Sequence, residues 1–357
     1  MKSDRLRVLT HRYSTLAVLL VPLLLIVLAA DLFGQLVLQR IVIILFINLM
    51  MVLALQIFMG NSGVVSFGHI AFMGIGAYAS ALFSMTPAAK AAALRSLYPI
   101  LADVYVPFIP ALLIGGAIAA VIAAVIGFPM ARLSGPAAVI ATFALLVITH
   151  TVLLNWSEVT NGPRVLFGVE GYTTLWITAL AGLLTVILAY WFKETSLGLM
   201  LRATREDEHA AASIGVNVVI GRWIAFILSA FVTGVAGGLW AHFIIIFSPV
   251  SFYLTQTFLI VMMLIVGGIK SVSGAVVGTL LMTGIFEGLR AIENGVNMSN
   301  LLPGTLTGFT EVLLAIAMIL LLIRRPAGVM AGREFRLPTR WWNRPESKPV
   351  EAETTGQ

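Results

Sequence analysis

The side chains of this sequence that could contact a solute are five polar residues inside or beside long apolar segments: Asn48, Gln56, Ser66, His69 and Glu287. Asn48 and Gln56 lie eight residues apart, on roughly one face of a helix. Polar groups inside a membrane are costly and often mark a solute or ion pathway, and the isolated carboxylate of Glu287 is the strongest candidate. The alternative is that each residue bonds to a neighbouring helix, which contributes only about 0.6–2 kcal/mol. Their scatter supports no catalytic group, proton relay or metal site.

The elements that must position these residues are long apolar helices. The chain of 357 residues is 59% hydrophobic and 11% charged, with a mean hydropathy of +1.00, whereas a soluble domain carries about 25% charged residues. A spanning helix needs about 20 apolar residues, so the sequence predicts an all-α polytopic membrane protein with about ten transmembrane helices. The predicted spans are 15–33, 41–59, 64–85, 107–131, 136–154, 172–192, 222–247, 255–269, 272–291 and 307–323. The eighth and ninth are short and could form one broken unit.

The basic residues orient these spans. If the N-terminus is cytoplasmic, 17 of the 22 Lys and Arg residues lie on the cytoplasmic side, as the preference for positive charge there requires. We therefore expect an even number of spans and two cytoplasmic termini. A short segment, 1–14, precedes the transmembrane domain, 15–325, and the proline-containing tail, 326–357, is expected to be disordered. The first apolar segment is long for a cleaved signal peptide, so it predicts a first transmembrane helix.

Small residues indicate how the helices pack. Glycines recur four residues apart, a spacing that lets helices approach closely in lipid; the pairs are Gly234/Gly238, Gly274/Gly278, Gly284/Gly288 and Gly304/Gly308. Two stretches, GNSGVVSFGHIAFMGIGAY (60–78) and GGIKSVSGAVVGTLLMTGIF (267–286), each place a polar turn before a glycine-rich span. Both turns face the same side in this topology, so they indicate a possible weak parallel internal repeat. The alternative is a chance likeness between two glycine-rich membrane segments.

The largest polar segment inside the apolar sequence is 193–221, which we expect to be a cytoplasmic loop. It contains the charged and alanine-rich stretch TREDEHAAASIG (204–215). Thr204 is predicted to cap a helix of about ten residues, with Asp207 in a capping-box position. Acidic residues follow in the first turn, alanines favour the helix, and Gly215 suits its end.

A helix of this length is marginal in water without tertiary contacts, so we expect it to dock onto a partner. The alternative is a solvated loop packed on its own protein. The residues predicted to couple the chain to its partner are Thr204, Arg205, Glu206, Asp207, Glu208, His209, Ala210, Ala211 and Gly215.

No motif in the sequence binds a nucleotide or performs hydrolysis. The stretch VGGIKS lacks the two glycines of a phosphate loop, because Ile269 and Leu264 occupy their positions. HExxH and paired carboxylates within one span are missing, and there is no cysteine. The sequence therefore predicts no enzyme, no cofactor, no metal and no nucleic-acid partner. If ATP drives transport, another chain must bind it.

Two sets of residues resemble a known family. HAAASIG (209–215) is similar to the EAA-x-x-x-G coupling motif of ABC-importer permeases, with His209 in place of the glutamate and Glu208 beside it. The 60–78 stretch, SLGLMLRATREDEHAAASIGVNV (196–218) and LIVGGIKSVSGAVVGTLLMTGIFEGLR (264–290) resemble LivM-type permeases of branched-chain amino-acid importers. The resemblance covers most of residues 40–323.

The resemblance implies a permease subunit of an ATP-driven importer in a bacterial cytoplasmic membrane. Its implied partners are a homologous second permease, two ATPase subunits, an extracytoplasmic solute-binding protein and membrane lipid. The implied mechanism is alternating access, with residues 203–215 transmitting movement. The implied solute is a branched-chain or related amino acid, or alternatively urea or a short amide. A secondary transporter driven by an ion gradient is a further alternative, and it predicts inverted repeats and paired intramembrane carboxylates. A membrane-embedded enzyme would need clustered catalytic groups, which the scattered histidines do not provide.

Overall fold

The computed structural model describes residues 2–298, 308–325 and 327–335. Within these residues the only extended pairing is an isolated antiparallel bridge between Leu166 and Phe247. Every regular element there is helical. In chain order the α-helices are α1 (Lys2–Phe33), α2 (Leu36–Leu55), α3 (His69–Ser84), α4 (Pro87–Ala93), α5 (Pro99–Ala102), α6 (Phe108–Met130), α7 (Gly135–Asn155), α8 (Ser157–Thr160), α9 (Leu175–Glu194), α10 (Ser196–Glu206), α11 (Glu208–Ser213), α12 (Val218–Ile244), α13 (Leu254–Gly267), α14 (Val272–Met298) and α15 (Phe309–Arg324).

Eight helices of the described chain are long and apolar enough to cross a membrane. They are Thr15–Phe33, Leu36–Gly60, Phe108–Met130, Gly135–Asn155, Leu175–Glu194, Val218–Ile244, Pro249–Gly267 and Val272–Asn297. The two other predicted spans correspond to shorter apolar helices, α3 and α15. The prediction of an all-α polytopic membrane protein is confirmed, with its helix count approximate. The eighth and ninth predicted spans are separate helices, α13 and α14, joined by a turn at 268–271.

Helices α3, α6 and α12 pack through glycines at distances that exclude any side chain. A Cβ added to Gly237 of α12 would lie 2.1 Å from the Met73 carbonyl oxygen of α3. One added to Gly76 would lie 2.1 Å from the Gly234 oxygen, and one on Gly115 of α6 would lie 2.7 Å from the Gly76 oxygen. The three helices therefore form one close-packed unit, since lipid offers no hydrophobic force and close contact must hold them together.

The predicted glycine pairs have different roles. Gly234 and Gly238 lie in this unit. Gly274 and Gly278 bring α14 against α13, where a Cβ on Gly278 would lie 2.1 Å from the Met263 carbonyl oxygen. Around Gly284 and Gly288 nothing lies within 4 Å of an added Cβ, so these two are not helix contacts within the described chain. The pair Gly304/Gly308 has its first member outside the described residues.

At the end of the bundle that holds residues 86–106, a buried lysine secures the irregular backbone. The Lys90 ammonium donates to the Leu101 carbonyl oxygen at 2.9 Å and to the Val104 oxygen. Nearby, the buried His242 contacts Ser80 and Ser84 at 3.2 and 3.1 Å and the Glu170 carbonyl oxygen at 2.9 Å. These bonds satisfy backbone groups that would otherwise be costly to bury.

The glycine packing yields a matched pair of substitutions. Gly237→Ala should lower the free energy of unfolding by about 1–3 kcal/mol, because backbone of α3 must move to admit the methyl group. Gly284→Ala, also within a helix, should be neutral or slightly stabilising because its surroundings are open. Thermal unfolding of the two variants in detergent checks this, and equal midpoints would contradict the packing account.

Candidate functional site

The predicted coupling helix is two helices, α10 and α11, within what we call the coupling segment, residues 195–217. Thr204 does not cap a helix: it is buried inside α10 and donates to the Leu201 carbonyl oxygen at 2.7 Å. The cap of α11 is Asp207, which is extended and accepts from the Ala210 amide at 2.9 Å. The predicted boundary is wrong because α10 continues through Thr204 to Glu206, and the Asp207 side chain then caps the next helix. At the start of that helix its negative charge is favourable.

The end of α11 confirms the expectation for Gly215. This glycine has φ +86, and its amide donates to the Ala212 oxygen while the Val216 amide donates to the Ala211 oxygen, at 3.0 and 3.1 Å. This double hydrogen bond is the Schellman arrangement that a glycine permits. The helix is six residues long, against about ten predicted.

The coupling segment has an inner and an outer face. Ala211, one of the residues predicted to couple the chain to its partner, is buried within its own chain. The exposed face carries Glu206, Asp207, His209 and Ala210, and also Ile214, whose side chain is 79% exposed. A partner that contacts α11 would therefore meet polar groups around the exposed side chain of Ile214, and Leu199 and Met200 of α10 are exposed as well.

Arg205 ties α10 to the end of the second span. Its guanidinium donates to the Gly60 carbonyl oxygen at 2.6 Å and to the Glu206 carboxylate at 2.9 Å. A Cβ on Gly63 would lie 2.5 Å from the Arg205 Cγ, so the glycine allows this approach. The Lys270 ammonium, in the α13–α14 turn, lies 3.6 Å from Glu206. The hydrogen bond from Arg205 and then the Lys270 charge hold the pKa of Glu206 below its usual range.

Arg222 ties α11 to the start of α12. Its buried guanidinium forms a two-pronged pair with Glu208, at 2.8 and 3.2 Å. Glu208, which the sequence offered as a partner-facing residue, therefore bonds within its own chain. A bidentate pair of this kind fixes orientation as well as contributing energy.

A carboxylate that the sequence analysis missed holds three elements together. Glu334 accepts from the Val272 and Ser273 amides at 2.9 Å each, at the start of α14. It also pairs with Lys193, at the end of α9. The segment around it is ordered, since the Val329 and Met330 amides donate to carbonyl oxygens of α13. The expected disorder therefore does not hold for 327–335; the rest of the predicted tail lies outside the described residues.

The five pathway candidates do not form one site. Ser66 and His69 form a pair at 2.8 Å near the start of α3, and Asn48 lies 3.5 Å from the Gln256 amide. Gln56 is fully buried, and neither atom of its amide has a partner in the described chain. It begins a π-helical turn, Gln56–Gly60, that continues α2. Glu287 is half-buried in a cleft near the opposite end of the bundle.

Comparison with known proteins identifies the family. The family described as "Branched-chain amino acid transport system / permease component" matches residues 37–323. The chain belongs to this family. This confirms the resemblance drawn from the sequence.

Individual relatives are distant. The high-affinity branched-chain amino acid transport system permease protein LivM of Escherichia coli (strain K12) is 27% identical over 312 residues, which cover 78% of this chain and 66% of LivM. LivM of Salmonella typhimurium is 26% identical with the same coverage. The nucleoside ABC transporter permease protein NupC of Lactococcus lactis is 28% identical over 253 residues, 66% of this chain and 76% of NupC. The chain thus spans just under two thirds of the LivM proteins. No solved structure matches this permease significantly.

The charge on Glu334 gives a pH-dependent prediction. Burial raises its pKa, but the Lys193 ammonium and the hydrogen bonds from Lys193 and Ser273 outweigh burial, so the pKa lies below its usual range. A depressed carboxyl pKa stabilises the fold above the unfolded value of about 4.3, and this contribution is lost as pH falls through the folded pKa. Glu334→Gln should lower the free energy of unfolding at pH 7 by about 3–5 kcal/mol, because Lys193 is left buried without its partner.

Because the variant lacks this carboxylate, its free energy of unfolding should fall less than the parent's as the pH drops from neutral to acidic. Glu194→Gln is the matched control, because this neighbouring carboxylate is exposed, and it should change stability by less than about 0.5 kcal/mol. Unfolding curves at several pH values test both statements. Coincident curves of stability against pH for Glu334→Gln and the parent would show that the carboxylate is not a stabilising group.

Proposed function

We propose that this permease is the transmembrane subunit of an ATP-driven importer for branched-chain or related amino acids. The observation that carries the proposal is the coupling segment. It presents an exposed face outward, and it is bonded inward to α2 through Arg205 and to α12 through Arg222. A segment of this kind can receive movement from a soluble partner and pass it to membrane helices.

The end of the bundle that holds the coupling segment is cytoplasmic in this proposal. The distribution of Lys and Arg supports that orientation, with both termini on the same side. The membrane is the bacterial cytoplasmic membrane.

The partners are two ATPase subunits, a homologous second permease and an extracytoplasmic binding protein. Relatives whose names include "transport system permease protein" and "ABC transporter permease protein" support this assembly. The lack of a nucleotide-binding motif in the sequence requires that ATP be hydrolysed by another chain.

Two routes lead from the coupling segment to the pathway. The first runs from Arg205 to the Gly60 carbonyl oxygen, at the end of the π-helical turn of α2. Such turns are frequent at functional sites and weaken the regular helix locally. The unpaired amide of Gln56 lies at the start of this turn. An unpaired buried amide costs free energy, so a rearrangement of this turn that gives the amide a partner would remove that cost.

The second route leads to α14. Glu206 lies near Lys270 in the turn before α14, and Lys193, at the end of α9 just before α10, pairs with Glu334 at the α14 N-terminus. A displacement of α10 therefore acts on α2 and α14 together. In the proposed mechanism, closure of the ATPases moves the coupling segment and shifts these helices between the two access states.

A nucleoside is a second candidate solute, because the NupC relative is named for nucleosides. An ion-gradient mechanism is less favoured. It calls for paired carboxylates in the membrane, whereas Glu287 shares its cleft with two arginines.

The exposed face of the coupling segment supplies the test. Ile214→Asp should reduce the ATPase that co-purifies with the permease by at least about tenfold, because a central apolar anchor contributes about 2 kcal/mol or more. Ile100→Asp is the matched control, because this isoleucine is also exposed (86%) but lies in α5, outside the coupling segment. Both variants should yield normal amounts of folded permease. If Ile214→Asp retains the ATPase as well as Ile100→Asp does, α11 is not the docking site.

A further inference from the structure

A charged cleft lies at the end of the bundle opposite the coupling segment. It has a volume of about 620 Å³ and lies between α2, α12 and α14. Its charged groups are Arg40, Glu287 and Arg290. Arg40 precedes Gly60 by 20 residues along α2, which places it about 30 Å from the Arg205 contact. The volume is within the range of about 300–1,000 Å³ that small-molecule sites occupy.

The three charged groups of the cleft form no ion pair in the described chain, although the Arg290 charge also acts on the neighbouring Glu293 of the same helix. In the described part of the chain, the ion pairs involve Lys193, Arg205, Arg222 and Lys270. None of them includes the cleft arginines or Glu287. Arg40 and Arg290 are exposed and Glu287 is half-buried. Two cations and one anion therefore face a cavity that an outside molecule can enter.

The remaining wall of the cleft is aliphatic and aromatic. Ile44 of α2 and Phe243 and Ile244 of α12 line it beside the charged groups. A ligand that satisfies this cleft needs an anionic group, a cationic donor and an apolar tail, all within one small molecule.

We propose that the cleft binds a short aliphatic amino acid as its zwitterion. The guanidinium groups of Arg40 and Arg290 donate to the carboxylate, for which their planar fork is suited. Glu287 accepts from the ammonium group, and the side chain lies against Ile44 and Phe243. This assignment names the solute class of the importer proposed above and rests on that function. A neutral nucleoside or urea would leave the arginines without an anion.

The headgroup of phosphatidylethanolamine has the same chemistry, since it joins a phosphate to a primary ammonium group beside an apolar chain. The two ligands differ in one respect that an experiment can use. The amino acid is soluble and can be added or withdrawn, whereas the lipid is set by the composition of the membrane.

The absence of cysteine from the sequence makes the test direct. Asn294→Cys places a single thiol in the cleft lining, and Ala291→Cys gives a second probe on the same wall. The measurement is the rate at which a water-soluble maleimide labels the full-length chain in nanodiscs, with and without added leucine. The nanodiscs are made of phosphatidylcholine, because its trimethylammonium group has no N–H to donate to Glu287. Leucine should slow the labelling. Isoamylamine and 4-methylpentanoate, which each lack one of its charged groups, should not do so at the same concentration.

Charge-removing variants in the same background should weaken the protection. Arg290→Gln or Glu287→Gln should raise the leucine concentration for half-maximal protection by about tenfold or more, since each removes a charge-assisted hydrogen bond. The control is Ser96→Cys, in another cleft of about 510 Å³ that Arg95 and Arg164 line without an acidic group. Leucine should leave its labelling unchanged.

Three results would overturn the assignment. Leucine could fail to protect both cleft thiols, it could protect Ser96→Cys equally, or the charge-removing variants could retain full protection. If phosphatidylethanolamine in the nanodiscs slows labelling and leucine does not, the cleft is a lipid site and the amino-acid assignment is wrong. The labelling requires neither ATP nor ATPases. A failure here is therefore distinguishable from a failure of the importer proposal, which the ATPase co-purification tests.

Discussion

Every polar backbone group exposed where a membrane helix ends needs a partner, and this requirement determines how the coupling segment is attached. Lipid offers no hydrogen bonds, so an unpaired group there costs several kcal/mol. At Gly60 the partner is the Arg205 guanidinium, and at the start of α14 it is the Glu334 carboxylate. The bonds that complete the fold are thus the same bonds that link the elements around the coupling segment to α2 and α14. If α10 moves, α2 and α14 must move with it, or a buried polar group loses its partner.

The glycine contacts define which helices are expected to move. Backbone of α3, α6 and α12 is in direct contact at Gly76, Gly234 and Gly237, where no side chain separates the helices. Sliding one of them would bring backbone atoms into collision, so we expect these three to move as one body. Helix α2 differs because it ends in a π-helical turn that contains an unpaired amide. We therefore expect α2 to deform most readily at the turn that Arg205 contacts.

The sequence predicted those elements that depend on residues close together in the chain. Apolar length predicted the spans, and Gly215 ended α11 because a left-handed residue needs a glycine. The start of α11 was misplaced because Thr204 and Asp207 both have cap-forming side chains. The apolar spacing of Leu197 and Leu201, which continues α10 through Thr204, would have decided between them. The contacts of Arg205 with Gly60 and of Glu334 with Ser273 join residues far apart in sequence, and no local pattern predicts such pairs. For the same reason, Arg40 and Glu287 could not be placed in one cleft before the packing of α2 against α14 was known.

The central claim is that Arg205 transmits movement from the coupling segment to α2. The most direct measurement is the number of leucine molecules taken up per ATP hydrolysed in proteoliposomes that contain the permease with its partner subunits and loaded binding protein. The parent should require ATP for uptake. Arg205→Gln should still assemble and hydrolyse ATP, but its uptake per ATP should fall by about tenfold, as expected when a charge-assisted hydrogen bond is lost. An Arg205→Gln transporter with the same uptake per ATP as the parent would contradict the account.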